Sequence, residues 1–277
     1  MDPVGKALWF IESHFAREIT LDEIATVGGV SRFHLSRAFG MSTGHSVMRY
    51  VRGRRLTEAA RSLAAGAPDI LAVALEASYG SHEAFTRAFR DQFGLTPETV
   101  RAQRHLDNLA LVEAITMDQK LDTKLEPPRF ENGKTLLIAG ISERYSYETC
   151  QRIPLQWQRF APHIGHVPGQ VGSTAYGVCS NMDDAGNIEY LAGVEVSSFD
   201  GLPAELSRIR IPARRYAVFR HCGHISAIRG TFHAIWSKWL PESGHEAADA
   251  PDFERYTGAF DPDSGAGTVE IWVPLKA

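Results

Sequence analysis

The chain has 277 residues and a formal net charge of −4, with 44% hydrophobic and 22% charged residues. This composition is that of an ordinary globular protein, and its length suits two domains with separate cores. No apolar run approaches the roughly 20 residues that span a bilayer, and the N-terminal residues lack the pattern of a signal peptide. We therefore expect a cytoplasmic protein with no membrane partner.

Three cysteines stand far apart, at Cys150, Cys179 and Cys222. Their spacing matches neither a disulfide framework nor a paired zinc-ligand motif, and it is typical of free thiols in a reducing compartment. The segment His221–His224 holds two histidines and a cysteine but is too short for all three to bind one ion without a strained loop. We therefore predict no metal site and no cofactor.

The charge is divided unevenly along the chain. Residues 1–105 have a net charge of +2 and contain 12 Arg and 1 Lys, whereas residues 106–277 have a net charge of −6. Arginine carries a fork of donors that suits phosphate oxygens and guanine edges. A net charge of +2 gives weak support for a nucleic-acid partner, because what matters is whether the arginines share a face.

Residues 1–105 show apolar side chains at helical spacing throughout. Thr20 and Glu23 have the pattern of a capping box, and Gly28, Gly40 and Gly94 are placed to end helices. The predicted later helices begin after the capping residues Thr20, Ser31, Asp69 and Ser81, and a longer helix begins at about Ser46.

Two segments of this helical region repeat one pattern. Ser31–Phe39 and Ser81–Phe89 have Ser, Arg, Ala and Phe at identical offsets, with an apolar residue at a fifth matching place. We interpret them as two helix–turn–helix units joined by one long helix over about residues 46–65.

From about residue 134 the pattern changes to that of β-strands between turn residues. The predicted strands are Thr135–Ile141, Ser173–Cys179, Glu189–Val196, Ile209–Arg220, Phe253–Phe260 and Thr268–Leu275. Helical stretches at about 154–164 and 226–240 interrupt them, so the order strand–helix–hairpin occurs twice. We predict a multidomain chain, α then α+β: an all-helical double helix-turn-helix domain (1–107), a linker (108–133) and a duplicated strand–helix–strand–strand domain (134–277).

The segment Tyr79–Arg90, followed by Phe93–Pro97, resembles the signature region of the AraC/XylS family of transcription regulators. Ser78 departs from that pattern, which usually has glycine there. The resemblance covers about residues 5–105. It implies sequence-specific binding to double-stranded DNA, and it makes RNA polymerase an expected partner.

The same resemblance implies which side chains face DNA. They are Arg32, Phe33, Ser36 and Arg37 in the first unit, and His82, Glu83, Thr86 and Arg87 in the second. Arg can bind guanine, Thr can contact a thymine methyl, and Glu can accept from cytosine. Phe33 could lie in the core instead. Arg49 and Arg52 are predicted to neutralise phosphates, with ion pairs inside the module as the alternative for this helix.

The C-terminal half is similar to the GyrI-like effector-binding domain found in Rob-type regulators. The similarity lies in the segments Tyr216–Gly223, Ile235–Gly244, Phe253–Tyr256 and Val269–Leu275. It covers about residues 130–277 and implies two strand–helix–strand–strand repeats around a central cleft that binds a small-molecule effector. The order of the predicted elements points to the same repeat independently.

An acidic residue and several aromatic residues form the predicted effector site. Glu270 lies within an apolar strand, where burial of a carboxylate without a partner is costly, although on the outer face of the sheet it would be ordinary. A carboxylate walled by aromatic rings suits a lipophilic cation. The predicted effector-binding residues are Trp157, Tyr176, Tyr190, Trp236, Tyr256, Glu270 and Trp272.

We therefore predict a transcription regulator, not an enzyme, whose C-terminal domain binds an aromatic or lipophilic cationic effector. One alternative is a hydrolase of electrophilic toxins that uses acids such as Glu189, Glu195 and Glu270. Another is an inhibitory interaction protein. The sequence contains no nucleophile elbow, paired metal ligands or phosphate loop, so no catalytic residue is predicted.

Overall fold

The computed structural model describes residues 2–115, 125–147, 149–183 and 186–276. Its N-terminal part is helical, and no helix of the described residues is long and apolar enough to cross a membrane. The helices are α1 (Pro3–His14), α2 (Leu21–Gly28), α3 (Arg32–Thr43), α4 (Val47–Ala64), α5 (Ile70–Glu76), α6 (His82–Phe93) and α7 (Pro97–Gln103).

The helices begin where the capping residues predict. Oγ1 of Thr20 accepts from the backbone N–H of Glu23 at 3.2 Å, and the Glu23 carboxylate accepts from the backbone N–H of Thr20 at 2.8 Å. Ser31 and Ser81 cap α3 and α6 in the same way, each accepting from the backbone N–H three residues on. The two repeated segments therefore fold as equivalent helices.

The C-terminal part is an antiparallel sheet with strand order β1-β6-β8-β7-β3-β4-β2-β5. The strands are β1 (Arg129–Gly133), β2 (Leu136–Tyr145), β3 (Gln170–Ser180), β4 (Ile188–Val196), β5 (Ser207–Ile211), β6 (Arg214–His224), β7 (Asp252–Asp261) and β8 (Ala266–Pro274). The helices are α8 (Ile153–Phe160), α9 (Ile228–Ala234), a π-helical segment (Ile235–Trp239) and α10 (Leu240–Glu242), with 3-10 turns at Cys150–Arg152, Ala161–His163 and Ile225–Ala227.

This order confirms the predicted duplication. One repeat is β2-α8-β3-β4 and the other is β6-α9-β7-β8, and their strands β3 and β7 pair antiparallel at the centre of the sheet. Strands β5 and β1 extend the two outer edges by pairing with β2 and β6. The sheet therefore has approximate two-fold symmetry about the β3–β7 pair.

The structure differs from several predicted boundaries. Helix α3 continues past Gly40, its predicted end, to Thr43, where Gly44 is the C-cap. The predicted strand Ile209–Arg220 is interrupted at Pro212, which cannot donate to a strand ladder, so it becomes the end of β5 and the start of β6. Strand β1 lies inside the stretch predicted as a linker (108–133) and pairs with β6.

The start of that predicted linker packs on the helical domain. The backbone N–H of Val112 donates to Oγ1 of Thr57 at 2.9 Å, and that of Ile115 donates to the hydroxyl of Tyr50 at 3.0 Å. Residues 116–124 of the linker lie outside the described residues. The helical domain therefore extends to residue 115 at least.

Helix α3 joins the two halves of the molecule. It packs on α1, α2 and α4 within the helical domain, and also on α9 and the π-helical segment of the C-terminal domain. Leu35 and Phe39 of α3 belong to the same buried apolar cluster as Phe232, Ile235 and Trp236. One continuous core therefore crosses the boundary between the domains.

Candidate functional site

The structure packs most of the predicted DNA-facing side chains of α3 against the C-terminal domain. The side chain of Arg37 is 1% exposed and pairs with Asp252 of β7. The backbone carbonyl of Ser36 accepts from the hydroxyl of Tyr147 at 3.1 Å, and Ser36 is buried. In this arrangement Ser36 and Arg37 do not face outward, contrary to the expectation. A buried carboxylate of the C-terminal domain binds the guanidinium of Arg37 instead.

The other two predicted residues of α3 lie at the edge of this interface. The ring of Phe33 is half-buried and meets that of Trp236 edge-on, with centroids 5.8 Å apart. This contact agrees with the alternative, stated in the sequence analysis, that Phe33 packs in the core and does not face DNA. Arg32, at the start of the helix, remains exposed.

Arg37 occupies an enclosed but incompletely paired environment. Its guanidinium carbon lies 5.9 Å from the ring centroid of Phe232 and 5.4 Å from that of Trp236. Burial raises the pKa of Asp252, although the positive charge of Arg37 opposes the change. Among the described residues, Nε and Nη1 of Arg37 have no hydrogen-bond partner. Each unpaired buried donor costs about 1–3 kcal/mol, so this contact is not an optimal one.

The equivalent helix of the second unit is presented differently. Glu83 and Arg87 of α6 are exposed, and His82 and Thr86 are half-buried. Nε2 of His82 lies 3.2 Å from a carboxylate oxygen of Glu98. Helix α6 packs on α4, α5 and α7, and Nε2 of its Gln92 donates to the backbone carbonyl of Ala110 at 3.3 Å. Its outer face, which carries the exposed Glu83 and Arg87, is open among the described residues.

The arginines of α4 serve two purposes. Arg49 and Arg52, predicted to bind phosphates, are exposed. Arg54 is buried, and its Nε and Nη1 donate at 3.0 and 3.1 Å to the carboxylates of Glu12 and Glu58. The alternative of ion pairs inside the module therefore holds for Arg54.

The predicted effector residues do not share one cleft. Successive residues of a strand point to opposite faces of a sheet, so their positions in each strand divide them. Trp157, Tyr190, Trp236 and Tyr256 lie on the face that α8 and α9 cover, whereas Tyr176, Glu270 and Trp272 lie on the other face. This arrangement corrects the expectation of one common site.

Glu270 is already compensated by two cations on that second face. Its carboxylate accepts from Nη2 of Arg129 at 2.9 Å and from Nη1 of Arg255 at 3.5 Å. Both guanidinium groups lie over the ring of Trp272, whose Nε1 donates to Glu270 at 3.1 Å. Glu270 therefore forms part of an ion-pair network on the face away from the helices.

A carboxylate that the sequence analysis did not single out, Glu254, lies on the helix-covered face of β7. It is 8% exposed, and its Oε2 accepts from the hydroxyls of Tyr190 at 2.7 Å and Tyr256 at 2.8 Å. Nε1 of Trp157 donates to the hydroxyl of Tyr190 at 3.0 Å, and the Trp157 ring meets that of Tyr256 edge-on at 5.0 Å. Burial raises the pKa of Glu254, and the two hydroxyl donors oppose that change only in part.

The opposite strand leaves room for this cluster. Gly177 of β3 pairs with Glu254, and a Cβ atom added at Gly177 would lie 2.0 Å from the hydroxyl oxygen of Tyr190 and 2.5 Å from Oε2 of Glu254. The sequence did contain a signal for the cluster. Glu254 lies two residues before Tyr256, as Glu270 lies two residues before Trp272, and only the register of β7 with its neighbours shows which face each one occupies.

A cleft of about 300 Å³ opens between α3 and the C-terminal domain. Phe33 and Arg37 of α3 line one side, and Cys179, Ile188 and Asp252 are among the residues that line the other. Asp252 and Glu254 are alternate residues of β7 and so share a face. The cleft therefore reaches the strand that carries the Glu254 cluster.

Comparison with known families agrees with this architecture. The GyrI-like small molecule binding domain matches residues 126–276, which is more than half of the chain. The chain belongs to the GyrI-like family. A helix-turn-helix domain matches residues 24–103, which span α3, α4 and α6. The GyrI-like domain is thus joined to an AraC-type helix-turn-helix domain, as the sequence predicted.

Two relatives are similar to this chain over its full length, and a third is similar over part of it. Right origin-binding protein of Escherichia coli is 24% identical over 292 positions, covering 100% of both chains. Transcriptional regulator Rob of Salmonella typhimurium has the same identity and coverage. Transcriptional regulator BrlR of Pseudomonas aeruginosa is 35% identical over 124 positions, or 43% of this chain and 44% of that protein. The GyrI-like chain described here is a DNA-binding transcription regulator with a small-molecule binding domain.

Proposed function

We propose that the GyrI-like domain binds an aromatic, lipophilic cation at Glu254. The observation that carries this proposal is a buried carboxylate whose partners are two neutral hydroxyls, those of Tyr190 and Tyr256. An ionised carboxylate in such a place has no cation among its described hydrogen-bond partners, and a cationic effector would supply one. The rings of Trp157 and Tyr256 beside it add cation–π attraction.

The DNA-binding proposal rests on the exposed face of α6. Glu83 and Arg87 can accept from and donate to base edges in the major groove, and Arg52 on α4 can neutralise a phosphate. We infer that effector binding changes DNA affinity or contact with RNA polymerase, and that the chain acts in the cytoplasm, where its DNA partner lies.

Regulation is favoured over the hydrolase alternative. The acids named for hydrolysis include Glu195, which pairs with Lys134 at 2.7 Å, and Glu270, which pairs with Arg129 at 2.9 Å. A carboxylate whose oxygens already accept from a cation is less free to accept a proton from an attacking water. The relatives described above are also named as regulators or as a DNA-binding protein.

The test compares a cation with a neutral molecule of the same outline. Methyltriphenylphosphonium and triphenylphosphine oxide are titrated calorimetrically into the wild-type chain and into Glu254→Gln, which keeps the shape and removes the charge. We expect the variant to bind the cation about tenfold more weakly, equivalent to about 1.4 kcal/mol, and to bind the neutral compound almost unchanged. Glu270→Gln is the control and should leave both affinities unchanged. Equal losses for the two compounds would contradict the proposal.

A further inference from the structure

The two repeated helices give an internal comparison of one sequence position. Arg37 of α3 and Arg87 of α6 occupy equivalent places in the repeat, yet the first is 1% exposed and the second is exposed. The C-terminal domain covers α3 through α9 and the π-helical segment, whereas Arg87 on α6 is exposed among the described residues. While α3 stays docked, its Arg37 cannot reach a DNA groove.

The contacts that hold α3 are polar as well as apolar. Nε2 of His34 donates to the backbone carbonyl of Trp236 at 2.7 Å, and the hydroxyl oxygens of Ser42 and Ser237 are 3.1 Å apart. Trp236 and Ser237 belong to the π-helical segment, a conformation that recurs at functional sites. These contacts add to the shared apolar core, whereas the cleft and the two unpaired donors of Arg37 leave the packing around Arg37 incomplete.

We propose that Asp252 is a second cation site of the GyrI-like domain, which Arg37 occupies as a tethered ligand until a cationic effector displaces it and frees α3 for DNA. The site is a buried carboxylate at the wall of the interdomain cleft, on the same face of β7 as Glu254. This inference rests on the proposed function, because it takes the class of cation proposed for Glu254 to be the one that competes for Asp252, two residues earlier on the same face of β7.

Competition of this kind couples the two domains in both directions. An effector cation and Arg37 cannot pair with Asp252 at the same time. An effector bound at Asp252 therefore favours the undocked form, in which α3 has left the C-terminal domain. By linkage, DNA that captures α3 tightens effector binding by the same factor as the effector tightens DNA binding. The size of the effect equals the difference in effector affinity between the docked and undocked forms.

A reversible disulfide across the interface tests this coupling. The hydroxyls of Ser42 and Ser237 are close enough that the double variant Ser42→Cys and Ser237→Cys can cross-link α3 to the C-terminal domain. The full chain also carries Cys222→Ser, because Cys222 is the exposed native cysteine. The probes are methyltriphenylphosphonium and a duplex enriched from a random-sequence library by the reduced protein in the presence of that cation.

We expect the oxidised chain to bind the duplex about tenfold more weakly than the reduced chain and to bind the cation more weakly as well. Reduction with dithiothreitol should restore both affinities. Each single cysteine variant, treated with the same oxidant, is the control and should not change.

A second variant pushes α3 away without a cross-link. A Cβ atom added at Gly40 would lie 2.0 Å from the ring of Tyr147, whereas one added at Gly28 of α2 meets nothing closer than 3.5 Å. Alanine also favours a helix over glycine at both positions. We expect Gly40→Ala to bind the duplex several-fold more tightly without effector, and the matched control Gly28→Ala to bind it as the wild type does.

The outcomes separate the two proposals. If the oxidised and reduced chains bind the duplex with the same affinity, and also bind the cation with the same affinity, the displacement of Arg37 is overturned. The Glu254 site is not affected by that result. The absence of cation binding in every form, reduced wild type included, would overturn both the Glu254 site and the displacement. Weaker binding of both probes in the oxidised chain, restored by reduction, supports the displacement.

Discussion

The hydroxyl of Tyr190 donates to Oε2 of Glu254 over 2.7 Å, so a neutral group rather than a cation holds this buried carboxylate. Burial raises the pKa of Glu254 in the free chain, and a bound cation would lower it again. Cation binding should therefore tighten as the pH rises through the free-state pKa and level off above it. Calorimetry across this pH range checks the prediction, and Glu254→Gln should show no such rise. An affinity for the cation that is independent of pH in the wild type would contradict it.

The same raised pKa predicts a pH-dependent stability. The raised pKa means that the folded chain favours the neutral form of Glu254. The resulting stabilisation is fully present below the unfolded-state pKa of about 4.3. It is lost as the pH rises through the folded-state pKa. Glutamine cannot lose a proton. The free energy of unfolding of Glu254→Gln, relative to wild type, should therefore increase with pH above about 4.3. Glu242→Gln, at an exposed position, is the control for denaturant melts and should give a flat difference.

Gly177 is predicted to be irreplaceable at the centre of the sheet. Its added Cβ would displace the hydroxyl of Tyr190 or the carboxylate of Glu254, so Gly177→Ala should cost about 1–3 kcal/mol of unfolding free energy. Gly258→Ala is the matched control, because Gly258 is an exposed residue of β7 and a Cβ atom added there would have no neighbouring atom within 4 Å. Equal stability of the two variants in urea melts would show that the cluster can rearrange without cost.

Arg87 and Arg52 should affect DNA binding in different ways. Arg87→Ala should cost about 1–3 kcal/mol and relax specificity at one base position, because an arginine on a recognition helix binds a base edge. Arg52→Ala should weaken binding to every sequence and lower the salt slope by about 1, because a phosphate contact carries no sequence information. Binding to the enriched duplex and its point variants at several salt concentrations checks both. A uniform loss for Arg87→Ala would mean that it contacts phosphate instead.

The local signals in the sequence predicted the helices and the duplication well. Capping patterns at Thr20, Ser31 and Ser81 depend on neighbouring residues only, so they fix where helices begin. Strand β1 escaped prediction because its short, polar sequence Arg129–Gly133 becomes a strand only by pairing with the edge of β6.

The candidate site depends on tertiary structure that the sequence pattern does not contain. Glu254 and Glu270 each lie two residues before an aromatic residue, and the strand register decides that one is enclosed by tyrosines and the other is paired with arginines. Arg37 and Arg87 are likewise equivalent in the repeat. Their environments differ because Arg37 meets a carboxylate that lies 215 residues further along the chain.

The pairing of β3 with β7 makes the carboxylate cluster a joint product of the two repeats. Trp157 and Tyr190 come from the first repeat, and Glu254 and Tyr256 come from the second. The residue of the first repeat that faces Glu254 across the central strand pair is Gly177, which carries no side chain. The cluster therefore needs a glycine from one repeat and a carboxylate from the other, so neither repeat alone could form it.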